Sequence, residues 1–415
     1  MTGFAVQQKA NIRRHDIDAL RALAFGLLIL YHLAMVYVHE WDFHIKSSYQ
    51  YDWLHWPMMF VNRWRMDLIF MISGMSTAML LQKMQQNRSG TANRQPGFFW
   101  QRTSRLILPL LFGMAVVVPI QPYCQGVANG LVAPGFWQFM AHYYSGYHWP
   151  AGAFDGWQYG FTWNHLWYLV YLWIYTAALL LGRQLARIPV FGEMATRWRA
   201  AFLGLRGWQL LALPAGLIFL WAGTLQLAYP DTHAVVNDWY VHANYFTLFI
   251  FGWWMGGDTA IWAELARLRK PAIAAALVLF VVYRVVADML PDEAAVWQLL
   301  TVWALRSLYA WSMLCALLGW GHALLNRPFR WLPWANQAVY PWYILHQSLI
   351  ILLAYWLIPL KLGGAVEALL VGAGTVLGCW LITSGVVARV GWLGVCFGMK
   401  KMGRPAVASF ERAKA

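Results

Sequence analysis

Charge is what this sequence has least of. Asp, Glu, Lys and Arg make up 12% of the 415 residues, against about 25% in a soluble domain. With 60% hydrophobic residues and a mean hydropathy of +0.46, this excludes an ordinary soluble globular domain and indicates a polytopic membrane protein. Acidic residues are the scarcer sign, 17 against 31 Lys and Arg. The excess of positive charge sits in short loops between apolar runs, so membrane topology explains it better than nucleic acid does. Cysteine is rare: Cys124, Cys315, Cys379 and Cys396 form no CxxC or Cys/His pattern, which argues against a structural zinc site. Only Cys124 falls in an expected external loop, so no disulfide is expected. There is no Gly-rich phosphate loop, internal repeat, low-complexity tract or separate soluble domain. The first apolar run lacks a small-residue cleavage site and is read as a retained helix, not a signal peptide.

What is present is about ten apolar segments long enough to cross a core of roughly 30 Å. Their approximate limits are 18–38, 64–82, 103–121, 163–182, 208–229, 243–261, 271–290, 296–321, 337–358 and 365–388. The expected fold is therefore all-α, a polytopic membrane helix bundle of residues 18–398. It is flanked by cytoplasmic tails, 1–17 and the basic 399–415, with an interfacial helix over 389–399. Basic residues mark alternate loops: Arg13 and Arg14; Lys83, Arg88, Arg94, Arg102 and Arg105; Arg183, Arg187, Arg197, Arg199 and Arg206; Arg267, Arg269 and Lys270; Arg327 and Arg330; and Lys400, Lys401, Arg404, Arg412 and Lys414. The positive-inside rule then places both termini in the cytoplasm. Two long outer loops, from His39 to about Met59 and from Gln121 to about Trp163, are dense in Trp, Tyr and His. They suit either an external binding surface or interfacial anchoring.

Five local patterns carry chemistry. The first is Asp18-Ala-Leu-Arg21 followed by ten residues and His32. On a helix Arg21 and His32 lie roughly 16 Å apart on almost the same face, with Asp18 one turn below Arg21. Such residues are costly in lipid and mark a functional site by default. The others are Arg65-Met-Asp67 leading to Ser73-Gly74, Arg102-Thr-Ser-Arg105, Asn164-His165-Leu-Trp167, and Tyr343-Ile-Leu-His346-Gln347.

In this order, "DALRA…H", "DLIFMISG", "RTSRLILP", "HLWYL" and "YILHQ" resemble the landmarks of the acyltransferase-3 family of integral membrane proteins. The resemblance runs from Asp18 to about Gln347 and on into the tenth span. Within the family the chain looks most like the branch that succinylates periplasmic glucans, through its "WRMDLIFMISG" run and "HLWYL". The soluble esterase-like domain of some relatives is not expected. The resemblance implies an enzyme of the bacterial inner membrane. It would take an acyl group from cytoplasmic acyl-CoA, succinyl-CoA or acetyl-CoA, and place it on a hydroxyl of a periplasmic glucan or other polysaccharide. No metal or redox cofactor is implied.

On that reading Arg21, Arg102 and Arg105 face the CoA phosphates, for which guanidinium groups offer bidentate bonds, although the last two also suit ordinary inner-loop charges. His32 is the general base that takes the sugar hydroxyl's proton, with an acyl-histidine intermediate left open. Asp67 or His165 would orient its ring. His165 is also placed to orient the acceptor or stabilise the oxyanion, or simply as an interfacial histidine beside Trp167. Arg65, Asn164, Trp167, Arg306, Tyr343 and His346 complete the acyl and acceptor side. Tyr343 and His346, one turn apart, are read chiefly as packing or support, with Pro341 in the first turn of their helix. Arg284 and Arg306, inside spans, need partners such as Asp288 or Asp67; alternatively, one arginine grips the free carboxylate of a succinyl group. A water-accessible passage would connect the two mouths. Composition alone would equally suit a transporter or flippase.

Overall fold

The structure is a computed structural model that describes residues 13–86 and 95–399. Residues 1–12 of the expected N-terminal tail, Arg88 and Arg94, and the tail from Lys400 onward lie outside the described residues. All regular structure among the described residues is helical. In order the helices are α1 (His15–Met35), α2 (His55–Gln86), α3 (Gln95–Phe112), α4 (Ile120–Ala128), α5 (Phe136–Tyr144), α6 (Trp167–Leu185), α7 (Pro189–Leu203) and α8 (Trp208–Leu225). They continue with α9 (Trp239–Met255), α10 (Thr259–Asp288), α11 (Val296–Leu325), α12 (Leu332–Leu357), α13 (Gly364–Leu381) and α14 (Gly391–Cys396).

Eight stretches among the described residues are long and apolar enough to cross a membrane: His15–Met35, Gly97–Ala128, Asn164–Leu185, Trp208–Leu225, Thr259–Asp288, Val296–Leu325, Leu332–Leu360 and Gly364–Val387. Of the remaining two expected spans, 64–82 falls in α2, and 243–261 falls in α9 but runs past its end into the start of α10. Arg63, Arg65 and Asp67 dilute the apolar character of α2, and α9 has 17 residues. These two helices nevertheless pack closely together. A Cβ on Gly74 would collide with the backbone of Phe249, and one on Gly252 with the backbone of Met71. Small residues let the two backbones touch, a packing mode typical of membrane helices.

Helix α1 packs on α2, α11 and α12 through Ile17, Leu20, Ala24, Phe25, Leu28 and Tyr31, all buried, at the three-and-four spacing of a helical face. At its N-terminal end Asp16 receives Arg14 at 2.7 Å and the ring of His322, on α11, at 2.7 Å. The start of α1 and the end of α11 therefore lie at one face of the bundle.

The third span departs most from expectation. Its helix runs from 97 to 128 but breaks between α3 and α4, where Gly113–Val117 form a π turn. Pro119 follows, and proline has no N–H to close a helical bond. The backbone carbonyls of Ala115 and Val117 are instead filled by side chains, the Tyr144 hydroxyl and Ser348 Oγ, the latter at 2.8 Å. Cys124 is thus on a buried helix, not in a loop, and all four cysteines are free. Pro341 lies inside α12, because that helix begins at Leu332.

Candidate active site

Helices α1 and α12 run parallel and are joined by two polar rungs. Arg21 Nη2 donates to Asn336 Oδ1 at 2.6 Å and to Asp18 Oδ1 at 2.9 Å. Farther along, His32 Nδ1 lies 2.8 Å from His346 Nε2, with the two rings stacked at 5.1 Å and 12°. The face shared by Arg21 and His32 is therefore the face turned to α12.

Hydrogen bonding fixes the state of each ring. His346 is fully buried, and its Nδ1 lies 2.8 Å from Tyr343 O and 3.0 Å from Trp342 O. Carbonyls only accept, so Nδ1 carries the proton and Nε2 is left to accept. His32 must then donate from Nδ1, which leaves its Nε2 as a lone-pair acceptor. That atom has no hydrogen-bond partner among the described residues, and the His32 residue is partly exposed. His165 Nε2 donates to Tyr343 O at 3.0 Å and Ile344 O at 3.2 Å, while its Nδ1 lies 3.3 Å from Gln121 Nε2. Tyr343 returns its hydroxyl to the His165 carbonyl at 2.5 Å. Both nitrogens of His165 are thus engaged.

Around these rings lies a polar hub in which Asn164 and Gln347, marked by their motifs, meet Gln121, which sequence reasoning missed. Gln121, fully buried at the start of α4, donates to Ser348 Oγ at 2.8 Å. Its Oε1 accepts from Asn164 at 2.8 Å and Gln347 at 3.1 Å. Gln347 also donates to His44 Nε2 at 3.0 Å, and His44 Nδ1 donates to Gln125 Oε1 at 2.8 Å beside Asp155. Asn164 takes a positive φ of 40°, which asparagine tolerates better than most residues, and this aims its amide at Gln121.

The loop between α1 and α2 lies over His32 as a strap. Phe43 stacks on His32 at 6.3 Å and 17°. Lys46 pins the strap by donating to Met35 O at 3.0 Å, Trp41 O at 2.9 Å and Val38 O. Burial pushes the Lys46 amine below the ordinary lysine range, against the pull of Asp42 and Glu40. The strap's amide ladder, Ser47 N to Val36 O at 3.0 Å and Tyr51 N to Tyr37 O at 2.8 Å, closes it on the end of α1.

The remaining expected site residues fall into two further groups. Asp67 does not meet His32; it is buried and accepts from Asn244 Nδ2 at 3.0 Å. Arg306, also buried, donates to Gln226 at 2.6 Å and Tyr240 at 3.2 Å. Arg65 packs its guanidinium 3.6 Å from the centre of the Tyr31 ring, next to His32. Arg284 pairs with Asp288. Trp167 lies 3.8 Å from the ring of His233 and stacks with Tyr245.

Toward the opposite end, Arg102 donates to Thr77 at 3.3 Å. From there Ser73 and Tyr168, 2.6 Å apart, lead to Phe25 and Tyr343 through edge contacts of 6.2 and 5.3 Å. Arg105, half-buried on the same face of α3, is one turn from Arg102. An aromatic column therefore connects the arginine end to the histidines. Among the described residues no three His, Cys, Asp or Glu side chains converge as metal ligands would.

A multi-pass helical bundle holding a free imidazole nitrogen against an ordered polar hub has the character of a membrane-embedded transferase. Residues 14–384 match the acyltransferase domain profile, and the chain belongs to that acyltransferase family. No curated protein and no solved structure matches the chain.

Proposed function

We propose that the protein is an acyl-CoA-dependent O-acyltransferase of a bacterial inner membrane. In this reading the bundle crosses the membrane ten times, α2 and α9 included, with both termini cytoplasmic. The donor is succinyl-CoA or, less favoured, acetyl-CoA, and the acceptor is a hydroxyl of a periplasmic glucan or other extracytoplasmic polysaccharide. The observation that carries the reading is the unpartnered Nε2 of His32, held in its accepting state by His346.

The chemistry follows from that state. The acceptor hydroxyl gives its proton to His32 Nε2 as its oxygen attacks the thioester carbon. The imidazolium that forms keeps its Nδ1–H bond to His346, which neutralises no charge but fixes the ring. Collapse of the tetrahedral intermediate breaks the C–S bond, and the CoA thiolate takes the proton back from Nε2. The products are an ester and CoA thiol. Arg21, Arg102 and Arg105, at the far end of the aromatic column, would hold the CoA phosphates. Asn164, Trp167, Tyr343 and His165 support the acceptor side. Arg65, over the Tyr31 ring, or Arg306, beside Gln226 and Tyr240, would receive the free carboxylate of a succinyl group.

The test is release of CoA thiol from purified, reconstituted protein with succinyl-CoA and glucan. Wild type turns over and His32→Ala, still folded, does not; equal rates in the two would overturn the role of His32. Arg306→Leu is expected to shift preference from succinyl toward acetyl, and an unchanged preference would remove that assignment. Turnover of no thioester with any glycan would overturn the reading as a whole.

A further inference from the structure

Between two membrane-crossing stretches, Asn164–Leu185 and Trp208–Leu225, the chain forms α7, a helix with almost no partner in the bundle. Only its end is anchored: Phe202 is buried and stacks on Phe251 at 4.3 Å and 8°. The rest is open. Val190 is 72% exposed, Phe191 44%, Met194 49% and Trp198 65%. At about 100° per residue these four side chains fall within a single arc, and Arg197 and Arg199 flank that arc on either side. The segment 183–206 holds five arginines against one acid, Glu193, whose pair with Arg197 is largely exposed at 3.5 Å.

We propose that α7 lies in the membrane interface and docks on acidic phospholipid headgroups. Its apolar arc enters the acyl boundary, and its arginines reach back to phosphate oxygens. The occupant is set by position and charge. A helix tethered at both ends to membrane spans cannot leave the surface of the bilayer, and a basic rim around an apolar face matches an anionic surface. The inference rests on α6 and α8 crossing the membrane and not on acyl transfer.

The experiment is amide hydrogen exchange of the full chain in nanodiscs of phosphatidylcholine alone or with phosphatidylglycerol added. Exchange over 189–203 should slow when phosphatidylglycerol is present, and the slowing should diminish in high salt. Arg197→Gln with Arg199→Gln should weaken the phosphatidylglycerol effect by about fivefold per arginine, with exchange over α11 and α12 unchanged as a control for folding. Equal, fast exchange of α7 in both lipids would overturn the proposal and leave the face to a protein partner. Protection that ignores both phosphatidylglycerol and the arginines would also overturn it.

Discussion

His32 Nδ1 lies 2.8 Å from His346 Nε2, and His346 is itself tied to carbonyls of its own helix. In the proposed chemistry one imidazole thus does for another what a carboxylate does in more familiar acid–base pairs. A neutral orienting group avoids placing a negative charge among apolar helices, at the cost of a weaker grip on the imidazolium.

His346→Ala is expected to lower turnover by about 10²–10⁴, the range for a mis-set general base. His346→Gln, whose carbonyl oxygen can accept from His32 Nδ1, should recover part of that loss. Thiol release at saturating donor measures both, and identical activity in the two variants would show that the bond does not orient the ring.

Gln121→Leu removes the donor to Ser348 and the acceptor for Asn164 and Gln347 at a stroke. Each buried group left unpaired costs about 1–3 kcal/mol. The variant should unfold at a visibly lower temperature in detergent and lose activity. A wild-type melting profile would mean that the hub is held by water and not by Gln121.

Gly252→Ala drives a methyl into the backbone of Met71, and overpacking of this kind costs about 1–3 kcal/mol or more. Gly26 on α1 has nothing within 4 Å of its would-be Cβ, so Gly26→Ala should be neutral or stabilise by about 0.5–1 kcal/mol. Thermal unfolding of the pair side by side checks the packing.

Lys46→Met takes the clasp from three carbonyls, Met35 at the end of α1 and Val38 and Trp41 just beyond it. Proteolysis should then enter residues 36–54 faster, with activity falling as Phe43 leaves His32. The native amine also has a pH signature. Its folded pKa is below the unfolded value of about 10.4, so between the two the unfolded chain binds more protons and stability rises with pH. The Met variant should lack that rise.

The helical bundle and most of its spans were legible from apolar runs, and Arg21 and His32 from their helical spacing. Their partners were not. Asn336 and His346 are far along the chain, and the rotation of α12 about its axis leaves no trace in a helix that is apolar nearly all round. Gln121 and His44 were missed, and Gln347 was marked only by its motif, for a related reason: isolated uncharged or weakly basic side chains have no spacing of their own, and only the break before α4 brings them together. Asp67 looked suited to orient His32 because both lie on neighbouring helices, but Asn244 on α9 takes its carboxylate. Helix α7 was hidden behind its own arginines, which read as a charged loop.

The close backbone approaches of Gly74 to Phe249 and of Gly252 to Met71 have a mechanical consequence. Two helices with no cushion of side chains between them behave as one stiff plank, so Asp67 and Asn244 travel together whenever either helix tilts. Any tilt of this pair therefore also moves Tyr245, on α9, against its stacking partner Trp167 on α6.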